Sequence, residues 1–246
     1  MATRLFSIVF LGCSWLSAAR VPAPESALEI RLFSRTAVSE ARVNGVRIRA
    51  PHTGLYQGQV TLEVKGTKPL SLSHLNVSTR NGHLILVAHI PLEQYVASVM
   101  AGEVNGVTKP ETLKAMAIAI RTYAIRHRHA HAREGYDLCD TTHCQNVYWS
   151  QRGRIHQDAA ESTEGLMLWW KGEPAATYYH AHCGGMSEAS PMGAYLPARA
   201  DVHCVSRGNE HWRASYTGEQ LADALSLKLP AMKVEVTDRS ASGRAN

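Results

Sequence analysis

Residues 90–126 read IPLEQYVASVMAGEVNGVTKPETLKAMAIAIRTYAIR. This is the most concentrated apolar and helix-forming text in the chain. Leu92, Tyr95, Val96, Val99 and Met100 recur at helical spacing, and Gly102 with Val104, Asn105 and Gly106 ends that helix. A second start follows, with Thr108 as cap, Pro110 in the first turn and Glu111 reaching back. The second helix is expected to run to about His131. Leu113, Met116, Ala117, Ile120 and Ala124 form one face, and Ile118 and Ile125 widen it, so burial on more than one side is expected. Glu103 stands where the two helices meet.

On the N-terminal side, residues 28–89 change period. Leu28 to Phe33 alternates apolar and polar, and Val43–Ile48, Val60–Val64 and Leu84–Val87 are short apolar runs. Gly45, Gly54, Gly58, Gly66 and Asn81-Gly82 read as turns between them. Asn81-Gly82 between Leu75–Val77 and Leu84–Val87 is a hairpin signal, so a small antiparallel β region is expected. On the C-terminal side, a loop spans residues 135–153 and a helical turn covers Asp158–Thr163. Leu166–Trp170 and Ala175–Tyr179 read as a hairpin joined by residues 171–174. A helix is expected over Leu221–Leu229 and a strand at Val234–Val236. The fold class is α+β: an N-terminal antiparallel β region, a central helical pair and a hairpin-rich C-terminal part. One domain is expected over residues 90–246.

The chain begins with one Arg, the apolar run LFSIVFLGCSWL over residues 5–16, and the small residues 17–19. That order fits a secretory signal peptide over 1–19, followed by a Pro/Ser linker over 20–27, and the apolar run is short for a membrane span. Export to the periplasm or cell envelope is the expectation. Gly12-Cys13 offers lipid anchoring as a variant. With Cys13 removed, four cysteines remain, an even number that permits two disulfides. The 246 residues are 45% hydrophobic and 19% charged, which suits a packed core. A net charge of +5 suits acidic partners in general, but no Lys/Arg-rich run carries interleaved aromatics, so nucleic acid is not expected as a partner.

Five sets of residues stand out for their chemistry. Glu103 ends the first helix, where the negative end of the helix dipole and the apolar Val99, Met100 and Val104 favour a protonated carboxyl, as a general acid requires. The alternative is an exposed Glu at a helix end. Arg121 sits inside an apolar helix, so it must pair with a carboxylate such as Asp140 or bind a ligand; Tyr123 adds a hydroxyl close by. Cys139, His143 and Cys144 fall within six residues and match the preferences of zinc, with a disulfide as the alternative. His180 or Cys183 could complete that site from a distant strand, or Cys183 could pair with Cys204. His127, His129 and His131 alternate with arginines and read as a solvated basic helix end. Gln145 and Tyr148 are loop residues able to hold sugar hydroxyls.

At IPLEQYVASVMAGEV, PETLKAMAIAIRTYAI, YDLCDTTHCQNVY and ATYYHAHCGG, in that order over about residues 91–185, the sequence resembles the stage II sporulation protein D family, which includes amidase-enhancer proteins of cell-wall turnover. The resemblance implies a peptidoglycan lytic transglycosylase acting on glycan strands between N-acetylmuramic acid and N-acetylglucosamine. It assigns the general acid/base to Glu103 and groove positions to Arg121, Tyr123, Gln145 and Tyr148. It also suggests a structural zinc at Cys139, His143 and Cys144, with no cofactor required for the chemistry. Asn146 departs as an extra residue in the loop. Two other readings compete: a non-catalytic wall-binding activator of an N-acetylmuramoyl-L-alanine amidase, and a zinc hydrolase built on the cysteine loop.

Overall fold

A computed structural model describes residues 17–20, 27–104, 106–107, 109–149, 153–206, 213–227 and 235–244. The expected lipid site Cys13, most of the leader and linker, the cap Thr108, the end of the last helix and the start of the last strand lie outside the described residues. The chain divides into two compact units, residues 1–177 and 178–246.

Alternating apolar side chains build the sheet of the first unit. Strands β2 (Ala27–Leu32), β3 (Glu40–Val43), β4 (Val46–Arg49), β5 (Gly54–Glu63), β6 (Leu70–Arg80), β7 (His83–Pro91) and β8 (Leu138–Cys139) form it in the order β4-β3-β5-β6-β7-β2-β8. All neighbours are antiparallel except β2 and β8, which pair in parallel, Ile30 opposite Leu138. The Asn81-Gly82 turn joins β6 to β7 with both residues at positive φ (51° and 75°), and Asn44-Gly45 does the same between β3 and β4 (51° and 78°). Such turns match the right-handed twist of the strands they join. Gly58 makes no turn between strands. At φ 86° it sits in a register shift inside the ten-residue β5, so the expected break there is a bulge.

Leu28, Ile30, Leu75, Val77, Leu86 and Ile90 turn one face of the sheet into the core. Helix α1 (Leu92–Glu103) follows β7 without a linker and packs on β7 and β2. The domain boundary expected near residue 90 therefore falls inside one unit, and the break in the chain comes at 177/178. Helix α2 (Pro110–Arg126) packs on α1 and on α3 (Arg154–Ser162). Tyr95, Val99 and Met100 of α1 and Leu113, Ala117 and Ile120 of α2 are fully buried or nearly so, each large apolar side chain contributing roughly 1.5–3 kcal/mol. Helix α2 stops at Arg126, short of His131. Turns and a single 3-10 turn at Ala132–Glu134 follow, with His129 at φ 71° breaking the helical path.

A second, three-stranded sheet joins β1 (Ser17–Arg20), β9 (Leu166–Trp170) and β10 (Glu173–Pro174). β1 includes residues 17–19 of the expected leader. The hairpin turn is the two-residue Lys171-Gly172, and its second arm is only two residues long. Residues 175–179 form no strand. The Thr177 hydroxyl donates instead to the Ala119 carbonyl of α2 (2.9 Å), which pulls this stretch onto the helix. The second unit has α4 (Val202–Ser206), α5 (Gly218–Ala224) and a Met186–Ala200 bridge among its described residues. No described helix is long and apolar enough to cross a membrane.

Candidate functional site

Glu103 closes α1, and the loop after β8 runs back across it. The Asn146 N–H donates to Glu103 Oε1 (2.9 Å), the Asn146 amide donates to the Gly102 carbonyl (3.1 Å), and the Tyr148 N–H donates to the Ser98 carbonyl (3.0 Å). This approach requires glycine at 102, because a Cβ there would stand 2.3 Å from the Asn146 carbonyl oxygen and 2.9 Å from Tyr148 Cδ2. Asn146 is thus the loop residue that touches Glu103. The carboxyl is half-buried, and among the described residues no donor meets its Oε2.

The proposed groove residues separate. Tyr148 is 43% exposed and lines a cleft of about 270 Å³ with Asn146, Trp149, Arg35 and Lys68. Gln145 is 2% exposed. Its Oε1 accepts from the Tyr95 hydroxyl (3.2 Å), its Nε2 has no partner among the described residues, and it lies inside the fold rather than on a sugar-facing surface. Tyr123 lies against His127 with the rings tilted by 34° and their centroids 4.2 Å apart. Arg121 is fully buried, and all three nitrogens of its guanidinium donate to protein acceptors. Nε donates to Glu93 Oε1 (2.9 Å), Nη2 to Glu93 Oε2 and the Ala160 carbonyl (3.0 Å), and Nη1 to the Leu166 carbonyl (2.9 Å). Arg121 therefore clamps α1, α2, α3 and β9 together and presents nothing to a groove. Its carboxylate partner is Glu93, whereas Asp140 accepts the N–H groups of Phe33 (2.6 Å) and Ser34 (2.9 Å).

The cysteine loop gathers four donors: His131 Nε2, Cys139 Sγ, His143 Nδ1 and Cys144 Sγ, all within 4.8 Å of one another. The sulfurs are 3.5 Å apart and unbridged, His143 Nδ1 is 3.8 and 3.6 Å from them, and His131 Nε2 is 3.4 Å from Cys144 Sγ. Hydrogen bonding from the Cys144 thiol, aided by Thr141 and His143, holds the Cys139 thiol down to about 4, and the same bond pushes Cys144 up. His131 is the donor that sequence reasoning assigned to a solvated helix end. The Glu134 carboxylate takes its Nδ1 (2.7 Å) and aims Nε2 at the sulfurs, the carboxylate–histidine arrangement of metal sites. The signal available in sequence was Glu134, three residues on. Two thiols and two imidazoles fit zinc and close its tetrahedral shell. His180 and Cys183 belong to the second unit, where Cys183 has other partners.

The family model for "Stage II sporulation protein" matches residues 80–170. Stage II sporulation protein D of Bacillus subtilis (strain 168) is 31% identical over 141 residues, which is 50% of this chain and 41% of that protein. Its namesake in Bacillus amyloliquefaciens is 31% identical over 144 residues, covering 51% and 42%. Over this segment the chain is similar to the stage II sporulation protein D family. It spans about two fifths of the length of these curated relatives. An uncharacterized protein of Brachyspira hyodysenteriae is 27% identical over 158 residues. The segment matched by the sporulation protein D model contains both ends of α1, the Arg121 clamp and all four donors of the cysteine loop; Cys183 and Cys204 lie beyond it.

Proposed function

We propose that the chain has a cell-wall-related role within its family and, more finely, that it is an exported lytic transglycosylase cleaving peptidoglycan glycan strands. The observation carrying this reading is the half-buried Glu103 carboxyl, oriented through Oε1 by the Asn146 N–H and open at Oε2. In its acid form Glu103 gives a proton to the glycosidic oxygen as the bond from C1 of N-acetylmuramic acid breaks. The carboxylate then takes the proton of the C6 hydroxyl as O6 bonds to C1, closing an anhydro ring. The proton count returns to its start and no water is consumed, so one carboxyl serves both steps. Tyr148 and Trp149, with the polar wall of their cleft, suit the faces and hydroxyls of a sugar.

Zinc at His131, Cys139, His143 and Cys144 completes this reading. When bound, it supplies a structural cross-link. The residues that hold it tie the turn after α2 to the 139–144 loop, and through it fix Asn146 against Gly102 and Glu103. Chelation is expected to lower the melting temperature by roughly 5 °C or more. Unchanged melting after verified metal removal overturns this assignment.

The chemistry is tested by incubating glycan stripped of stem peptides with the chain and with Glu103→Gln. Anhydro-ended products are expected from the former and at least ~100-fold more slowly from the latter. If neither produces anhydro ends, the enzyme reading fails and a wall-binding activator of an amidase takes its place.

A further inference from the structure

The second unit holds a donor cluster that neither the Glu103 chemistry nor the cysteine loop uses. Cys183 Sγ, Cys204 Sγ and an Asp201 carboxylate oxygen lie within 4.8 Å of one another. Both thiols are free, and Cys183 is buried. Two segments carry the three residues. They are joined by the Met186–Ala200 bridge, by the Ser187 N–H to the Arg199 carbonyl (2.8 Å) and by the Asp201 N–H to the Gly185 carbonyl (2.8 Å). Gly184 and Gly185 take φ of 66° and 99°, a region that favours glycine, and so turn the chain sharply beside the Cys204 sulfur. The Cys183 N–H donates to Cys204 Sγ (3.2 Å).

Both oxygens of Asp201 have partners, and the Cys183 thiol is the one that donates to Oδ2. Asp201 Oδ1 accepts the N–H groups of His203 (3.1 Å) and Cys204 (3.0 Å), while Oδ2 faces Cys183 Sγ at 3.5 Å. Two thiols would be enough for a disulfide. A carboxylate oxygen oriented onto the same point adds negative charge that a disulfide has no use for and a divalent cation does. The backbone N–H groups on the sulfur and on Oδ1 act as the outer shell that orients metal ligands.

We propose that Cys183, Asp201 and Cys204 form a second divalent-metal site, of the type that zinc favours. Both thiols release their protons to solvent on binding, and the two thiolates and one carboxylate then leave one tetrahedral position for water or another small oxygen ligand. Three protein ligands with an open fourth position distinguish it from the closed four-donor set of the first unit. The metal it holds is therefore expected to be the more exchangeable of the two.

The test uses the 246-residue chain, reduced, stripped of metal and dialysed against zinc. A Cys139→Ser/Cys144→Ser variant is expected to keep one zinc per chain, and adding Cys183→Ser/Cys204→Ser to remove it. If the first variant does not fold, Cys183→Ser/Cys204→Ser in the otherwise native chain is expected to hold one zinc fewer than its parent. Asp201→Asn keeps the Oδ1 acceptor and replaces only the ligand oxygen, so it is expected to weaken zinc binding at this site by at least ~10-fold. With cobalt as probe, the thiolate-to-metal absorption of this site should vanish with the two cysteines. The proposal is overturned if zinc content is the same with and without Cys183 and Cys204, if Asp201→Asn binds as tightly as its parent, or if peptide mapping of the exported chain finds these cysteines quantitatively disulfide-bonded.

Discussion

At the N-terminal end of α1, Glu93 accepts two N–H groups from the buried Arg121 and a third from Gly165 (3.3 Å); at the C-terminal end, Glu103 accepts a single backbone N–H. Glu93 stands at the end of the helix where an anion is favoured, 20% exposed, with its charge balanced by a fully buried guanidinium. Glu103 stands at the opposite end, with one oxygen oriented and the other open. The same residue type on the same helix is a structural anchor where its partners saturate it, and is available for chemistry where they do not.

The largest effect should come from breaking the saturated end. Arg121→Met leaves Glu93 without its guanidinium and strips the Leu166 and Ala160 carbonyls of a donor. It is expected to cost about 3–5 kcal/mol in urea unfolding. If this variant keeps its stability and loses only glycan cleavage, the contrast between the two ends collapses and Arg121 belongs to the groove. Glu103→Gln should behave in the opposite way, with the loss of cleavage described above and a stability change within about 0.5 kcal/mol, since the amide oxygen can still accept from Asn146. Gly102→Ala lies between them. Its methyl group would meet the Asn146 carbonyl, displacing the loop at about 1–3 kcal/mol, and cleavage should fall because the Asn146–Glu103 bond is lost.

The smallest effect concerns His127, whose imidazole is driven below its ordinary pKa by burial and by the neighbouring Arg126. Between the folded and unfolded values the unfolded chain binds more protons, so stability rises with pH across that window. It is lost as pH falls below about 6.5, the unfolded value. His127→Gln should flatten this part of the melting-temperature profile, and an unchanged slope would assign it to another group.

Local chemistry made much of this legible. Asn81-Gly82 signals a hairpin because both residues tolerate the positive φ that a two-residue hairpin turn requires, and the spacing from Leu92 to Met100 signals α1. Gly102-Glu103 stood out as the end of that helix. What sequence left open depends on partners far along the chain. Arg121 was recognisable as a buried cation, but Glu93 lies 28 residues before it, and nothing local prefers it to Asp140. His131 was read as solvent-facing because the helix was extended through it; the turn at His129 and the pull of Glu134 bring it to Cys144 instead. Residues 175–179 have strand composition, yet a hydroxyl bond to α2 outweighs it.

The parallel pairing of β2 with β8 has a bearing on how the chain acquires its site. Ile30 and Leu138 are separated by more than one hundred residues, so this contact closes a longer loop than any other pairing of the sheet, the β2–β7 pairing included. Local pairings form early and distant ones late. During synthesis the hairpins and both helices can assemble before residue 138 emerges, leaving Glu103 uncovered at its helix end. The arrival of β8 then carries the cysteine loop and Asn146 into position, so the orientation of that carboxyl depends on the longest-range pairing of the sheet.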